Sequence, residues 1–584
     1  MTKYTALDHC VRHQSWWRPI VLTALLSAAT VTPAAAAPMG TERTETPVTS
    51  TSEVASVAES VVSVHIPLPE SVGQHPGACD RLSYLRYRAG DGPRDSADAD
   101  AVLVAQPGIF EGAGAFDNVA RNTVAAAAEQ GRHIEFWALD RRSNCLEDHT
   151  GTQAALATGD THVAVDYYYR GADIDGRRFD GYPLDDRSAW LAHIGIEQTV
   201  RDQYDLLTAE LPDPALRKQK VLCGGHSLGG IVTGVFATWD FDGAAGGDQC
   251  AGYFALDSAI DTSLTALNGI PDTIDMSLGG RSYDTVQAGL DNGTIPRVLA
   301  LPAVVNPETM NLLGIAGLAA YLAPDAESDL AHYIPDSLNQ DATYRVLMSR
   351  DAATAATGSP SVRDFRVTNA AVLGAFLDAN SQPLAFLQTG FGFFDGGPVT
   401  DKNFPVPGDI ATTPALHRLT GAMLGPDPKA IPATPDGPLY TWRNYDQLAD
   451  IPIPVDSRGV PFTDPQQEVT DLQDLSRSLA AQPLDFTEWY FPTKLAADTY
   501  QLQAPDIARH TTHPAMLDAK PTLNLVGGSG IALASGHPGR GTTVIAPGYH
   551  HLDVLTAATT QSNRQPEIVS TNLARFALDT TDPH

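Results

Sequence analysis

Basic residues are the first shortage in this chain: 38 Lys and Arg stand against 69 Asp and Glu, a net charge of −31. A deficit of that size repels phosphate backbones and anionic bilayer surfaces, which argues against a nucleic-acid partner and fits solubility outside the cell. Cysteine is scarce, with five in 584 residues. There is no zinc-type His/Cys spacing, no calcium loop, no P-loop and no dinucleotide fingerprint after a strand, so the sequence implies neither metal nor cofactor. Beyond the N-terminus no apolar run is long enough for a membrane span. Internal repeats are also missing, which excludes a solenoid. A chain of 584 residues exceeds what one compact core usually holds, so either two domains or one domain with a long insertion is expected.

What is present begins with a targeting pattern. Arg12, His13 and Arg18 precede an apolar run at 19–31 and then Thr32-Pro-Ala-Ala-Ala-Ala37, the layout of a secretory signal cut after Ala36 or Ala37. Residues 1–37 are therefore expected to be a signal peptide and the mature protein to be secreted. Cys10 leaves with the signal, and Cys79, Cys145, Cys223 and Cys250 remain for an oxidising compartment. Four cysteines allow three connectivities. Cys79 with Cys145 is the preferred pair, and Cys223 reads equally as a buried thiol. Residues 38–60, rich in Thr, Ser, Glu, Val and Ala without apolar periodicity, read as a flexible leader.

Strand-like runs follow at 61–66, 81–88, 101–106, 133–139, 218–223 and 252–256, with helical patterns at 118–130 and 190–211 between them. Strands first and then βαβ alternation predict an α/β fold, a mostly parallel sheet covered by helices on both faces. From 263 to 515 the alternation stops, and helix-like pieces such as 307–323 and 361–377 lie between Pro and Gly loops. That stretch is expected to be a large, mainly helical inserted cap. Strands at 522–526 and 542–546 and a closing helix at 569–578 return the chain to the first sheet, so the core comprises 61–262 and 516–584.

The chemistry is expected at Val221-Leu-Cys-Gly-Gly-His-Ser-Leu-Gly-Gly230, which reads as a buried strand turning sharply into an apolar helix. A serine on such a turn projects its hydroxyl above the sheet, and the glycines at 225 and 229 leave room for a strained backbone and a close strand-to-helix approach. Ser227 is the nucleophile candidate. A serine hydroxyl needs a base near neutral pH, and His550 and His551 stand in the loop Pro547-Gly-Tyr-His-His-Leu-Asp-Val-Leu555 after the last predicted strand.

On these residues the chain resembles the α/β-hydrolases, most of all the secreted lipases and esterases. The family order of nucleophile, acid and base places the His in that loop, and His-Leu-Asp-x-Leu resembles the segment whose first His is the base, so His551 is favoured over His550. The resemblance further implies an oxyanion hole made by the amide of Leu228 and by one donor after the third strand. Pro107-Gly108 stands there where the family usually has His-Gly, so Ile109 is the expected donor, with Phe110 as the alternative. The family's usual acid position is empty, since no Asp or Glu lies between Gly527 and Tyr549. Leu256-Asp-Ser-Ala259 resembles the acid-bearing segment of pancreatic-type lipases, so Asp257 is the expected acid, Asp261 the alternative, and Asp553 a helix-start residue. Two more stretches are read as structural: Asp140-Arg-Arg-Ser-Asn-Cys-Leu-Glu-Asp148 as an ion-pair loop, and Asp166-Tyr-Tyr-Tyr-Arg170 as a pocket wall or a solvent-edge turn.

The expected function is a secreted serine carboxylic-ester hydrolase of lipase or esterase type, working through an acyl-enzyme on a small-molecule or lipid ester. An amidase or exopeptidase with the same triad, or a binding protein on the same fold, are the other two classes.

Overall fold

A computed structural model describes residues 42–582 apart from 185, 301–304, 406–423, 425–426, 450, 537–538, 563 and 565. The expected signal segment, 1–37, lies outside the described residues. Nine strands form one sheet: β1 (Arg43–Val48), β2 (Val57–His65), β3 (Arg81–Ala89), β4 (Ala101–Gln106), β5 (Ile134–Leu139), β6 (Val221–His226), β7 (Gly252–Leu256), β8 (Thr522–Gly527) and β9 (Thr542–Ala546). Their order is β1-β2-β3-β5-β4-β6-β7-β8-β9. The first three strands and the junction of β3 with β5 are antiparallel, and every later pairing is parallel. Strands β4 to β7 are mostly apolar and buried along their whole length, as a sheet covered on both faces requires.

The chain moves outward from β4 to β5 and then back past β4 to β6. Right-handed crossovers in opposite directions put the connecting helices on opposite faces. Accordingly α1 (Asp117–Ala128) covers β3 and β5, whereas α2 (Ile196–Glu210) packs on α3 (Leu228–Thr238) behind β6. The crevice at that reversal, outside the carboxyl ends of β4 and β6, is where sheets of this kind bind ligands. With the strand–turn–helix at Ser227, this is an α/β-hydrolase fold.

Between β7 and β8 the chain builds α4 (Pro307–Leu322), α5 (Asn369–Leu377) and α6 (Leu472–Ala480), and two short antiparallel pairs, Gly392–Asp395 with Thr441–Asn444 and Val399–Asp401 with Ala430–Pro432. Helices α4 and α6 pack on each other, and α7 (Ile568–Thr581) closes the chain against α1. Among the described residues no helix is long and apolar enough to cross a membrane. Disulfides join Cys79 to Cys145 and Cys223 to Cys250, so Cys223 is not a buried thiol.

Two local readings change. Within the expected flexible leader, Arg43–Val48 pairs with Glu59–Val64 as the edge strand, because that run of β2 otherwise leaves a row of main-chain donors and acceptors open. The strand expected at 218–223 starts only at Val221: Asp213 caps a helix with Pro at its first turn, and its Lys and Arg residues sit at the C-terminal end, where the helix dipole favours them.

Candidate active site

Ser227 lies at the turn between β6 and α3 with φ 52° and ψ −124°, a region that a non-glycine residue occupies only when its surroundings impose it. Those surroundings are tight. The Ser227 amide donates to the Leu256 carbonyl at 3.1 Å, and its carbonyl accepts the Ser258 hydroxyl at 2.6 Å. A Cβ at Gly225 would stand 2.5 Å from the Gln106 carbonyl oxygen, and one at Gly229 would stand 2.1 Å from the same atom. Only glycine admits that approach. The Ser227 side chain is fully buried, and its Oγ meets no hydrogen-bond partner among the described residues.

The structure brings His551 and Asp257 together: Nδ1 of His551 lies 2.6 Å from Oδ2 of Asp257. Asp257 leaves the end of β7 with φ 36° and accepts two more donors, the amides of Gly527 at 3.1 Å and Ile531 at 2.9 Å. The carboxylate is thus bound by the very segment after β8 in which the sequence carries no acid. Asp261 is turned elsewhere, toward Arg540 at 2.8 Å. His550 also faces away from Asp257. Its Nδ1 lies 3.2 Å from Asp553, whose other oxygen ties Thr389 and the Gly390 amide of the insertion. Asp553 is thus a buried link from the base loop to the insertion as well as a helix-start residue.

The loop after β4 is shaped from behind by Arg141. Its guanidinium binds the carbonyls of Pro107, of Gly108 at 2.8 Å and of Glu111 at 3.3 Å, and pairs with the Glu488 carboxylate. In a trans peptide the carbonyl and the next amide point in opposite directions. The Gly108 carbonyl faces Arg141, so the Ile109 N–H faces away from it. The Gly108 amide is committed to Glu111 at 2.7 Å. No acceptor among the described residues takes the Ile109 or the Leu228 amide. Phe110 sits at φ 61°, and its carbonyl accepts the Glu488 amide at 2.9 Å.

Residues 484–491 of the insertion run along this loop. Gly112 and Gly114 donate to the carbonyls of Phe486 and Asp485, and Phe110 packs on Phe491 with ring centroids 5.4 Å apart. The cavities of about 920 and 610 Å³ lie elsewhere and are not lined by Ser227, Asp257 or His551. The segment 484–491 thus covers the loop after β4, and Ser227 is buried.

Sequence reading did not find Glu111 or the role of His226. Nδ1 of His226 lies 2.7 Å from Oε1 of Glu111 and Nε2 lies 3.0 Å from the His551 carbonyl oxygen. The His226 and His551 rings stand 4.4 Å apart. Burial opposes charge on His226, but the Glu111 carboxylate prevails and raises its pKa, whereas burial and then the His226 charge lower that of His551. Glu111, His226 and His551 place donor atoms within 4.8 Å of one another, as metal ligands do. Their hydrogen bonds already use the Glu111 oxygens and both His226 nitrogens.

The two remaining stretches are resolved as packing. Arg142 pairs with Asp202 at 2.6 Å beside the Arg141 anchor. Asp166–Arg170 belongs to the helix Thr161–Arg170, in which Tyr167 and Tyr168 are buried and bind Asp148.

No family model and no curated protein matches the chain. Among solved structures it is similar to the peroxisomal alpha-beta-hydrolase Lpx1 from Saccharomyces cerevisiae, at 11% identity over 93% of this chain and 90% of that one, with a TM-score of 0.29. A TM-score that low carries no weight for the site.

Proposed function

We propose that this protein is an exported serine hydrolase that cleaves carboxylic esters of hydrophobic character. The observation that carries the reading is the 2.6 Å contact of His551 with Asp257 at the end of β7, the strand paired with β6, whose strained elbow carries Ser227. Ser227 Oγ attacks the ester carbonyl while His551 Nε2 takes its proton. Asp257 holds the imidazole in the tautomer with Nδ1–H and stabilises its charged form. The amides of Leu228 and Ile109 bind the oxyanion, and His551 returns its proton to the departing alcohol. Water, deprotonated by the same imidazole, then releases the acid and restores the serine.

Phe110 and Phe491, packed on each other at the oxyanion loop, support an apolar acyl or alcohol group. Two disulfides support an oxidising compartment and hence export.

The test is hydrolysis of nitrophenyl esters from acetate to palmitate by the mature chain beside Ser227→Ala. The wild type is expected to cleave them and the variant to lose roughly 10⁴- to 10⁶-fold in kcat. A wild type inert on every ester overturns the reading, and a scan of nitroanilides then asks whether the triad acts on amides.

A further inference from the structure

Both hydrogen-bond partners of His226 are acceptors. The Glu111 carboxylate faces Nδ1, and the His551 backbone carbonyl faces Nε2. Beside an ionised Glu111 a neutral imidazole, with one donor nitrogen and one lone pair, would leave one of these oxygens facing a lone pair in a buried site. A neutral ring needs the proton on Glu111 instead, donated to Nδ1; with the Glu111 carboxyl ionised only the imidazolium satisfies both. Glu111 is suited to balance it: its second oxygen accepts the Gly108 amide, and although burial opposes ionisation, the His226 charge holds its pKa below the ordinary carboxylate value. We infer that Glu111 and His226 form a second carboxylate–imidazole pair, an obligate ion pair that joins the oxyanion loop, the elbow and the base loop and keeps the neighbouring His551 ring neutral. The inference rests on the proposed role of His551 as base.

The charges around His551 are few and identifiable. Asp257 at the end of β7 and Glu111 in the oxyanion loop favour its protonation, and His226 opposes it. Behind Glu111 stands the buried Arg141–Glu488 pair. Burial opposes charge on His551 while the two carboxylates favour it, and a charged His551 cannot accept the Ser227 proton. The His226 cation, with ring centroids 4.4 Å away, offsets one of them. His226 and Glu111 are thus positioning residues. Neither is assigned contact with the reacting atoms.

The experiment is the pH profile of kcat/KM on a nitrophenyl ester for wild type, His226→Gln and Glu111→Gln/His226→Gln. Loss of a nearby cation raises the pKa of the base, so the acid limb is expected to move up by about one to two pH units in His226→Gln. It should fall part of the way back in the double variant, where the unbalanced carboxylate is gone as well. Much of the lost rate should return above pH 8. A folded His226→Gln enzyme slowed equally at all pH values, its acid limb unmoved, refutes the electrostatic role. Neutron diffraction from wild-type crystals at pH 8 decides the case without any variant: deuterons on both nitrogens of His226 and on Nδ1 alone of His551 are expected, and a single deuteron on His226 overturns the inference. If the wild type cleaves no ester, the functional reading fails while the neutron map still reports the protonation.

Discussion

The strand ends that carry Ser227 and the insertion segment 484–491 meet at one loop, yet different forces hold them. On the sheet side the geometry comes from backbone. The register of β4, β6 and β7 places the Gln106 carbonyl against Gly225 and Gly229, and amides of 527 and 531 fix the Asp257 carboxylate. On the insertion side three backbone bonds, Gly112 to Phe486, Gly114 to Asp485 and Glu488 to Phe110, are joined by ionic and aromatic contacts: Arg141 with Glu488, Arg477 with Asp117, and Phe491 against Phe110. Parallel strands shift only with the whole core, whereas a short run of backbone bonds and a few side-chain contacts can be exchanged. On the proposed reading, the sheet holds the reaction geometry and the insertion governs access.

The largest expected effect breaks the sheet side. Asp257→Asn should lower kcat by roughly 10⁴-fold with little change in KM, because an amide favours the wrong tautomer of His551. It should also lower the melting temperature, since Asn has one acceptor oxygen where the carboxylate serves His551, Gly527 and Ile531. Steady-state kinetics beside a thermal melt checks both. An Asp261→Asn enzyme should keep its activity, and equal losses in the two variants would reverse the assignment of the acid.

Arg141 tests the junction. Arg141→Met strands the buried Glu488 carboxylate and should cost about 3–5 kcal/mol in urea denaturation. It also frees the carbonyls of Pro107, Gly108 and Glu111, so kcat should fall by roughly 10²- to 10³-fold as the Ile109 donor loses its orientation. Adding Glu488→Gln removes the unpaired charge and should restore part of the stability but none of the rate. Rate returning along with stability would show that Arg141 acts only as a packing partner.

How far the sequence foretold this depends on how local each determinant is. The strands Ala101–Gln106, Gly252–Leu256 and Thr542–Ala546 match their expected bounds, since each is a short apolar run ended by Gly, Pro or Asp. The elbow was legible because strand, glycines, serine and helix are contiguous. The helix expected at 190–211 instead begins at Ile196, whose amide is taken by Asp498, 302 residues away. The pair of Glu111 with His226 spans 115 residues and has no spacing signature. Its only trace was an acid three residues after Gly108 and a His before the serine. The short strand pairs of the insertion escaped for a similar reason: their partners lie across long loops, and their three- and four-residue lengths show no period.

The smallest expected effect sharpens the comparison through pH. His149 stands where the two sides touch, its Nε2 3.1 Å from Glu147 in the loop after β5 and 3.6 Å from Asp485 in the covering segment. Burial opposes its charge, but Asp485 and Glu147 push its pKa up to about 10. A histidine raised in the folded state contributes stability that is fully present below its unfolded value near 6.5 and is lost as pH rises through the folded value. The attachment of 484–491 should therefore weaken between about pH 6.5 and 10. Because the ring is partly exposed, screening limits the contribution to about 1–2 kcal/mol. Urea denaturation at pH 6 and pH 9 should show that decrement in the wild type and a smaller one in His149→Gln. Labelling of Ser227 by a serine-directed phosphonate should also quicken toward pH 9 in the wild type, beyond the change due to His551, and less so in the variant. Identical labelling in both across this range would mean that the covering segment opens without breaking the His149 contacts, and that access is governed by Arg141 and Glu488 instead.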